Sequence, residues 1–191
     1  MARSAAEPIR REAIVKATIQ EVARAGASEV TVAQIARRAG VSSALAHHYF
    51  GSKEAILVAA MRHVLTLYGA EVRGALATAD TPRERVEAVV RASFSPGSFR
   101  RESVAAWLSF YVLAQNQAEA RRLLSVYHRR LRSNLLAGLR PLVEGRAAVV
   151  AEGLGALIDG VYLRQALSGA VADRKAATAL VMDYLAREVG A

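Results

Sequence analysis

Two short helical stretches with a three-residue break between them constrain this chain more than any other feature. Thr31 stands before Val-Ala-Gln-Ile-Ala-Arg-Arg-Ala, and Gly40-Val41-Ser42 separates that run from Ser43-Ala-Leu-Ala-His-His-Tyr-Phe50. Thr31 and Ser42 are residues whose side-chain oxygen accepts from the free N–H groups of a helix's first turn, and Gly40 takes the positive φ on which helices end. Ile35, Ala36, Val41 and Ala46 are small or apolar where two such helices must touch. The pattern therefore predicts a tight helical pair with a glycine turn, a helix-turn-helix. Its second helix would turn Ser43, Ala44 and His47 outward, short enough to let a backbone approach base edges in a major groove. Ser42, His48, Tyr49 and Lys53 flank it as donors for phosphates, with Lys53 at the positive start of the next helix. A plain helical hairpin has the same spacing, so spacing alone leaves DNA binding and simple packing open.

The rest of the chain also reads as helix. Ile14, Thr18, Val22 and Ala25 share one face of a helix that opens near Ile9 and stops at Gly26. Lys53 begins a long helix with Ile56, Leu57, Ala60, Val64, Leu67 and Tyr68 on its apolar positions, and Thr81-Pro82 reads as N-cap plus first turn of a fifth. Ser95-Pro96-Gly97-Ser98 is a breaker cluster, after which helices are predicted over 100–116, 118–142, 146–169 and 173–188, the last capped by Asp173. No alternating run occurs, so the fold class is all-α: a three-helix N-terminal domain over 1–52, then a helical domain over 53–191.

Composition narrows the function. The chain has no Cys, which excludes disulfide frameworks, thiolate metal sites and cysteine nucleophiles. His47, His48, His63 and His128 fall in no metal-ligand spacing, and no Ser-His-Asp set appears, so neither an enzyme, a metal nor a cofactor is expected. A net charge of +9 suits a polyanionic partner. Residues 1–62 hold nine basic and five acidic groups and the remainder seventeen and twelve, so the charge locates no surface. The first fifteen residues are charged, unlike a signal peptide, and no run approaches the ~18 apolar residues of a membrane span. A cytoplasmic protein without a membrane partner is the expectation.

The second half offers two faces of one helix. On a 100° wheel Gly153, Ala156, Leu157, Gly160, Leu163 and Leu167 form a stripe whose small residues permit close helix contact, the expected homodimer face. Arg164 falls on the same stripe. Asp159 and Tyr162 lie opposite, where a buried carboxylate needs either an arginine of the protein or a bound cation. Trp107 and Tyr111, at i and i+4 beside Phe110, read from spacing alone as core packing, with a ligand wall as the other use of such a ring set. Gly153, Gly155 and Gly160 follow no strand and are no nucleotide loop. Arg121, Arg122, Arg129, Arg130 and Arg132 read as a solvated face rather than a second nucleic-acid surface.

The stretch Thr31-Val-Ala-Gln-Ile-Ala-Arg-Arg-Ala-Gly-Val-Ser, with His48-Tyr-Phe-Gly-Ser-Lys53, Leu57 and the preceding Ile14-Val-Lys-Ala-Thr, closely resembles the N-terminal signature of TetR/AcrR-type repressors. The resemblance implies DNA contacts at Thr31, Ser42, Ser43, Ala44, Leu45, His47, His48, Tyr49 and Lys53. Ala44 stands where that family often has Gly, and His47 where it often has an aromatic. The remaining helices would then form a regulatory domain that dimerises and binds an effector, on a pseudo-palindromic double-stranded operator. Ala106-Trp-Leu-Ser-Phe-Tyr111, Arg129-Arg-Leu-Arg-Ser-Asn-Leu135 and Ala156-Leu-Ile-Asp-Gly-Val-Tyr162 through Gly169 resemble the BetI-type branch, choline-responsive repressors of glycine betaine synthesis. Tyr111 and Tyr162 stand where Trp is usual. This implies choline or another quaternary ammonium as effector, with Trp107, Phe110, Tyr111 and Tyr162 around it and Asp159 as counter-charge. An efflux or lipid-pathway regulator with another ligand, and a ligand-binding helical protein without operator binding, are the alternatives.

Overall fold

The computed structural model describes residues 2–168 and 173–190. In order, these form α1 (Ala2–Ala25), α2 (Val32–Arg38), α3 (Ser43–Phe50), α4 (Lys53–Leu76), α5 (Pro82–Ser93), α6 (Arg101–Asn116) and α7 (Ala118–Val143). A 3₁₀ turn (Glu144–Arg146), α8 (Ala147–Leu167) and α9 (Arg174–Val189) complete them. The described residues contain no strand, as expected of this chain. α1 begins well before Ile9 and carries Pro8 inside it, a residue that forgoes one ladder hydrogen bond. The end of the helix expected over 146–169 lies partly outside the described residues.

Local chemistry accounts for the helix starts. Thr31 and Thr81 each close a capping box, with Gln34 and Glu84 at the third helical position, and Pro82 follows Thr81 where its missing N–H costs nothing. Ser42 and Asp173 cap α3 and α9. Glu84 accepts from the backbone N–H groups of Thr81 and Asp80, which holds its carboxyl below the usual value.

The chain divides into two compact units, and they do not follow the expected break at residue 52. The first comprises residues 1–64 and 101–121. Its core gathers Ile14, Val22, Val30, Ile35, Ala36, Ala46, Ile56 and Leu57, so the start of α4 belongs with α1–α3. Burying each of the large aliphatic groups contributes roughly 1.5–3 kcal/mol. Leu113 of α6 packs on the same core, and α1 lies against α6. The second unit comprises residues 65–100 and 122–191. Its buried residues include Val86, Val89, Phe94, Leu135, Leu139, Leu154, Ile158, Val181 and Leu185. Gly138 is required there: a Cβ would come within 2.6 Å of the Val86 side chain and 2.7 Å of the Pro82 carbonyl.

α4 departs from the expectation about membrane length. An 18-residue stretch of it has a mean hydropathy of 1.3, enough by length and composition to span a bilayer, and a third of that stretch is buried within the protein. Sequence inspection missed it because its small and polar residues interrupt any continuous apolar run.

Candidate nucleic-acid interface and effector site

The helix-turn-helix is built from its caps inward. Thr31 Oγ1 accepts from Gln34 N at 3.2 Å and Ser42 Oγ accepts from Leu45 N at 3.1 Å. Gly40, at φ +68°, turns the chain, and Val41 N reaches back to the Ala36 carbonyl at 3.0 Å. Ile35, Ala36 and Ala46 are almost fully buried where the helices meet. That packing leaves Ser43, Ala44, His47 and His48 exposed, with Leu45 and Tyr49 half-buried. The side chains expected to face bases thus share the open side of α3, whereas the hydroxyls of Thr31 and Ser42 are engaged as helix caps.

Two of the expected contacts carry partners of their own. His47 Nδ1 lies 3.2 Å from the Gly51 carbonyl, to which it donates. Lys53 Nζ donates to the Ser28 carbonyl at 2.8 Å, tying the start of α4 to the loop after α1. Beneath them, Glu21 of α1 receives Arg38, the last residue of α2, and Arg24 at 2.8 Å. The Arg38 guanidinium, with Arg24, holds the Glu21 carboxyl below the usual carboxylate value.

The residues expected around an effector divide between the two units. Trp107 and Phe110 are buried and Tyr111 half-buried in the first unit, with ring centroids 6.1 Å (Trp107–Phe110) and 5.9 Å (Trp107–Tyr111) apart. Asp159 and Tyr162 belong to the second. Tyr162 is fully engaged there: its ring stacks on Phe94 and meets Phe99 edge-on, and its hydroxyl donates toward the backbone carbonyls of Ser93 and Ser98. Burial drives its phenol far above the ordinary value, so it stays neutral.

Among the described residues, Asp159 meets a tyrosine and a histidine rather than the arginine a buried carboxylate could take. The Tyr127 hydroxyl donates to one carboxylate oxygen at 3.0 Å, and His128 Nε2 lies 3.2 Å from the other. Its hydrogen bond to Asp159 raises the His128 pKa. Tyr68 meets Tyr127 edge-on at 5.7 Å, and its hydroxyl lies 3.1 Å from Ser93 Oγ. Burial pushes the Tyr68 phenol up to about 12. A groove of about 310 Å³ opens beside Asp159, walled by His128, Arg129 and Arg132 of α7 and by Glu152 and Gly155 of α8. Sequence reading passed over Tyr68, Tyr127 and His128. Tyr68 counted only as an apolar helix position, and Tyr127-His128 sit next to a basic run that reads as solvent-facing. No spacing rule links residues 127 and 159.

The stripe on α8 is open in the protomer. Leu163 and Leu167 are 46% and 72% exposed, and Leu180 of α9 is 53% exposed. Ala156 is exposed and Leu157 half-buried. A Cβ at Gly160 would meet nothing within 4 Å. Gly153 differs, because a Cβ there would strike the hydroxyl of Tyr184 on α9 of the same chain. Its smallness serves the α8–α9 contact within the protomer.

Comparison with known proteins accords with this geometry. Residues 14–60 match the family described as bacterial regulatory proteins, tetR family. Residues 82–190 match the family described as BetI-type transcriptional repressor, C-terminal. The HTH-type transcriptional regulator BetI of Rhizobium meliloti is 51% identical over 180 residues, covering 94% of this chain and 89% of that protein. That of Brucella anthropi is 48% identical over 181 residues, covering 94% and 93%. Among solved structures, a TetR transcription regulator from Haloarcula marismortui superposes with a TM-score of 0.86 at 19% identity, covering 96% of this chain and all of that one. A protein from Saccharomonospora viridis solved in complex with choline gives 0.81 at 24% identity, covering 94% and 96%. The chain therefore belongs to the BetI-type transcriptional repressors of the tetR family, DNA-binding regulators rather than enzymes.

Proposed function

We propose that this repressor acts in the cytoplasm as a homodimer on a pseudo-palindromic operator, and that a quaternary ammonium of the choline class is its effector. In the dimer, α8 and α9 of two copies meet through the uncovered Leu163, Leu167 and Leu180 and the space over Gly160. Two α3 helices then read adjacent major grooves through Ser43, Ala44, Leu45 and His47, with His48, Tyr49 and Lys53 on phosphates. Thr31 and Ser42 act through their caps, which fix where α2 and α3 begin.

The observation that carries the effector reading is Asp159: a carboxylate on α8 held by Tyr127 and His128, with no arginine paired to it among the described residues. A trimethylammonium head donates no strong hydrogen bond, so it is recognised by an anion and by ring faces. Tyr127 and Tyr68 supply rings beside Asp159, while Tyr162, with its hydroxyl occupied, serves as a wall. Trp107, Phe110 and Tyr111 are the other rings expected around the effector; they lie in the first unit, and the reading at Asp159 does not rest on them. The BetI-type match over 82–190 and the choline complex of the Saccharomonospora viridis protein support this ligand class. The ligand weakens operator binding by favouring a conformation whose half-site spacing is wrong, since equal affinity for both conformations shifts nothing.

Calorimetry with choline tests the reading. Choline binds the wild type, Asp159→Asn loses at least about tenfold, and the neutral isostere 3,3-dimethylbutanol binds distinctly worse because it keeps the shape without the charge. Equal binding of the isostere, or normal binding by Asp159→Asn, makes Asp159 a structural residue.

A further inference from the structure

We propose that Arg11 is a positioning residue of the recognition helix: its guanidinium, set against the rings of Tyr49 and Phe50, holds the C-terminal end of α3 to α1 and so presets the face that α3 offers to DNA. The guanidinium carbon lies 5.2 Å from the Tyr49 ring centroid and 5.1 Å from that of Phe50. Both distances are within the ~6 Å over which a cation is drawn to an aromatic face. On its other side, Arg11 Nε donates to Glu7 Oε1 at 2.9 Å, one turn earlier on α1.

The restraint falls where α3 needs one. The helix runs only from Ser43 to Phe50, and so short a helix is marginal without tertiary support. Its start is secured by the Ser42 cap and its middle by buried Ala46. Its end is Tyr49-Phe50, after which Gly51, at φ +81°, turns the chain away. Both rings pack on the core of the unit and both share the Arg11 cation, and the proposed docking also places Tyr49 on a phosphate. Arg11 thus ties the core-packed end of α3 to α1 at the residue proposed to meet a phosphate.

The surroundings of Arg11 argue against a direct phosphate contact. Glu7 already accepts from its Nε and offsets its charge, and two rings lie against the guanidinium. A residue of this kind acts by lowering the ordering cost of binding. Without it, the end of α3 must be immobilised at the moment of docking, and affinity falls. A lysine keeps the charge but not the planar group that lies against two rings.

The test uses full-length protein and a duplex that the wild type selects from a random-sequence pool, titrated between about 50 and 200 mM salt. Arg11→Ala, with its helix content verified by circular dichroism, is expected to bind about tenfold more weakly per half-site, from the loss of two ring contacts, with an unchanged salt slope. In a double-mutant cycle, the loss from Arg11→Ala shrinks in a Phe50→Leu background, because one of its two rings is already gone. Unchanged affinity in Arg11→Ala overturns the proposal. So does a slope lowered by about 0.9 per contact and restored by Arg11→Lys, the signature of a phosphate ligand. Strictly additive losses in the cycle overturn it as well. Should Phe50→Leu fail to fold, proton spectra of the wild type decide: ring-current upfield shifts of the Arg11 δ protons are expected, and random-coil positions refute the clamp.

Discussion

Arg38, at the end of α2, donates from its Nε to Glu21 of α1, a carboxylate whose side chain is only 5% exposed. With Arg24 on the same carboxylate, this pair joins the first helix to the helix that precedes the recognition turn. Glu21 is a charged residue on the apolar side of α1, and the two guanidinium groups are what make its burial tolerable.

The pair gives stability a defined pH dependence. The Glu21 carboxyl sits below its ordinary value of 4.5, chiefly through the Arg38 hydrogen bond. A depressed carboxylate contributes stability that is complete above the unfolded value and is lost as pH falls through the folded one. Glu21→Gln is therefore expected to melt below the wild type by a constant gap between pH 6 and 8, a gap that closes as pH drops below about 4. Thermal melts across that range check it; a gap that persists undiminished in acid would show that the charge is irrelevant.

His128 carries the opposite sign. Its pKa is raised above 6.5 by the hydrogen bond to Asp159, so its contribution is complete below 6.5 and disappears as pH rises through the raised value. His128→Gln should lower the melting temperature at pH 6 and approach the wild type at high pH. Histidine resonances followed by pH titration should show one site titrating late, and Asp159→Asn should return it toward the ordinary value.

Gly160→Leu separates the interface from the fold. Among the described residues, nothing beyond the local helix backbone lies within 4 Å of a Cβ at residue 160, so the protomer has room for a side chain to start there. Across a close helix contact the same side chain overpacks, at a cost of about 1–3 kcal/mol or more. Sedimentation should show a dimer weakened on the order of tenfold or more at unchanged helix content, with operator affinity falling alongside. An unchanged dimer removes Gly160 from the interface. Gly153→Leu is no substitute, because it collides with Tyr184 of its own chain.

Lys53→Ala tests the docking of α3. To reach a phosphate, Nζ must leave or share the Ser28 carbonyl it now meets at 2.8 Å. Losing that contact should weaken binding to all sequences and lower the salt slope by about 0.9 per contact. Substitution at Ser43 or His47 should instead change which bases are preferred. A slope and affinity untouched by Lys53→Ala would leave Lys53 with its structural bond alone.

Local chemistry by itself determined the helices and the recognition unit. Thr31, Ser42, Thr81 and Asp173 are caps because short oxygen-bearing side chains satisfy the first turn wherever they precede a helical run, and Gly40 turns the chain because only glycine takes φ +68° at no cost. Those are interactions over three or four residues, which one sequence displays directly. Tertiary structure alone decided the partners of Asp159, the pairing of Glu21 with Arg38, the contact of Gly153 with Tyr184 and the division that gives α6 to the first unit. Each depends on residues from 17 to more than 30 positions apart, or on which of two faces of a helix meets its neighbour. A helical repeat specifies a face but not what lies against it: Tyr68, Tyr127 and His128 acquired their roles only when α4, α5, α7 and α8 had packed.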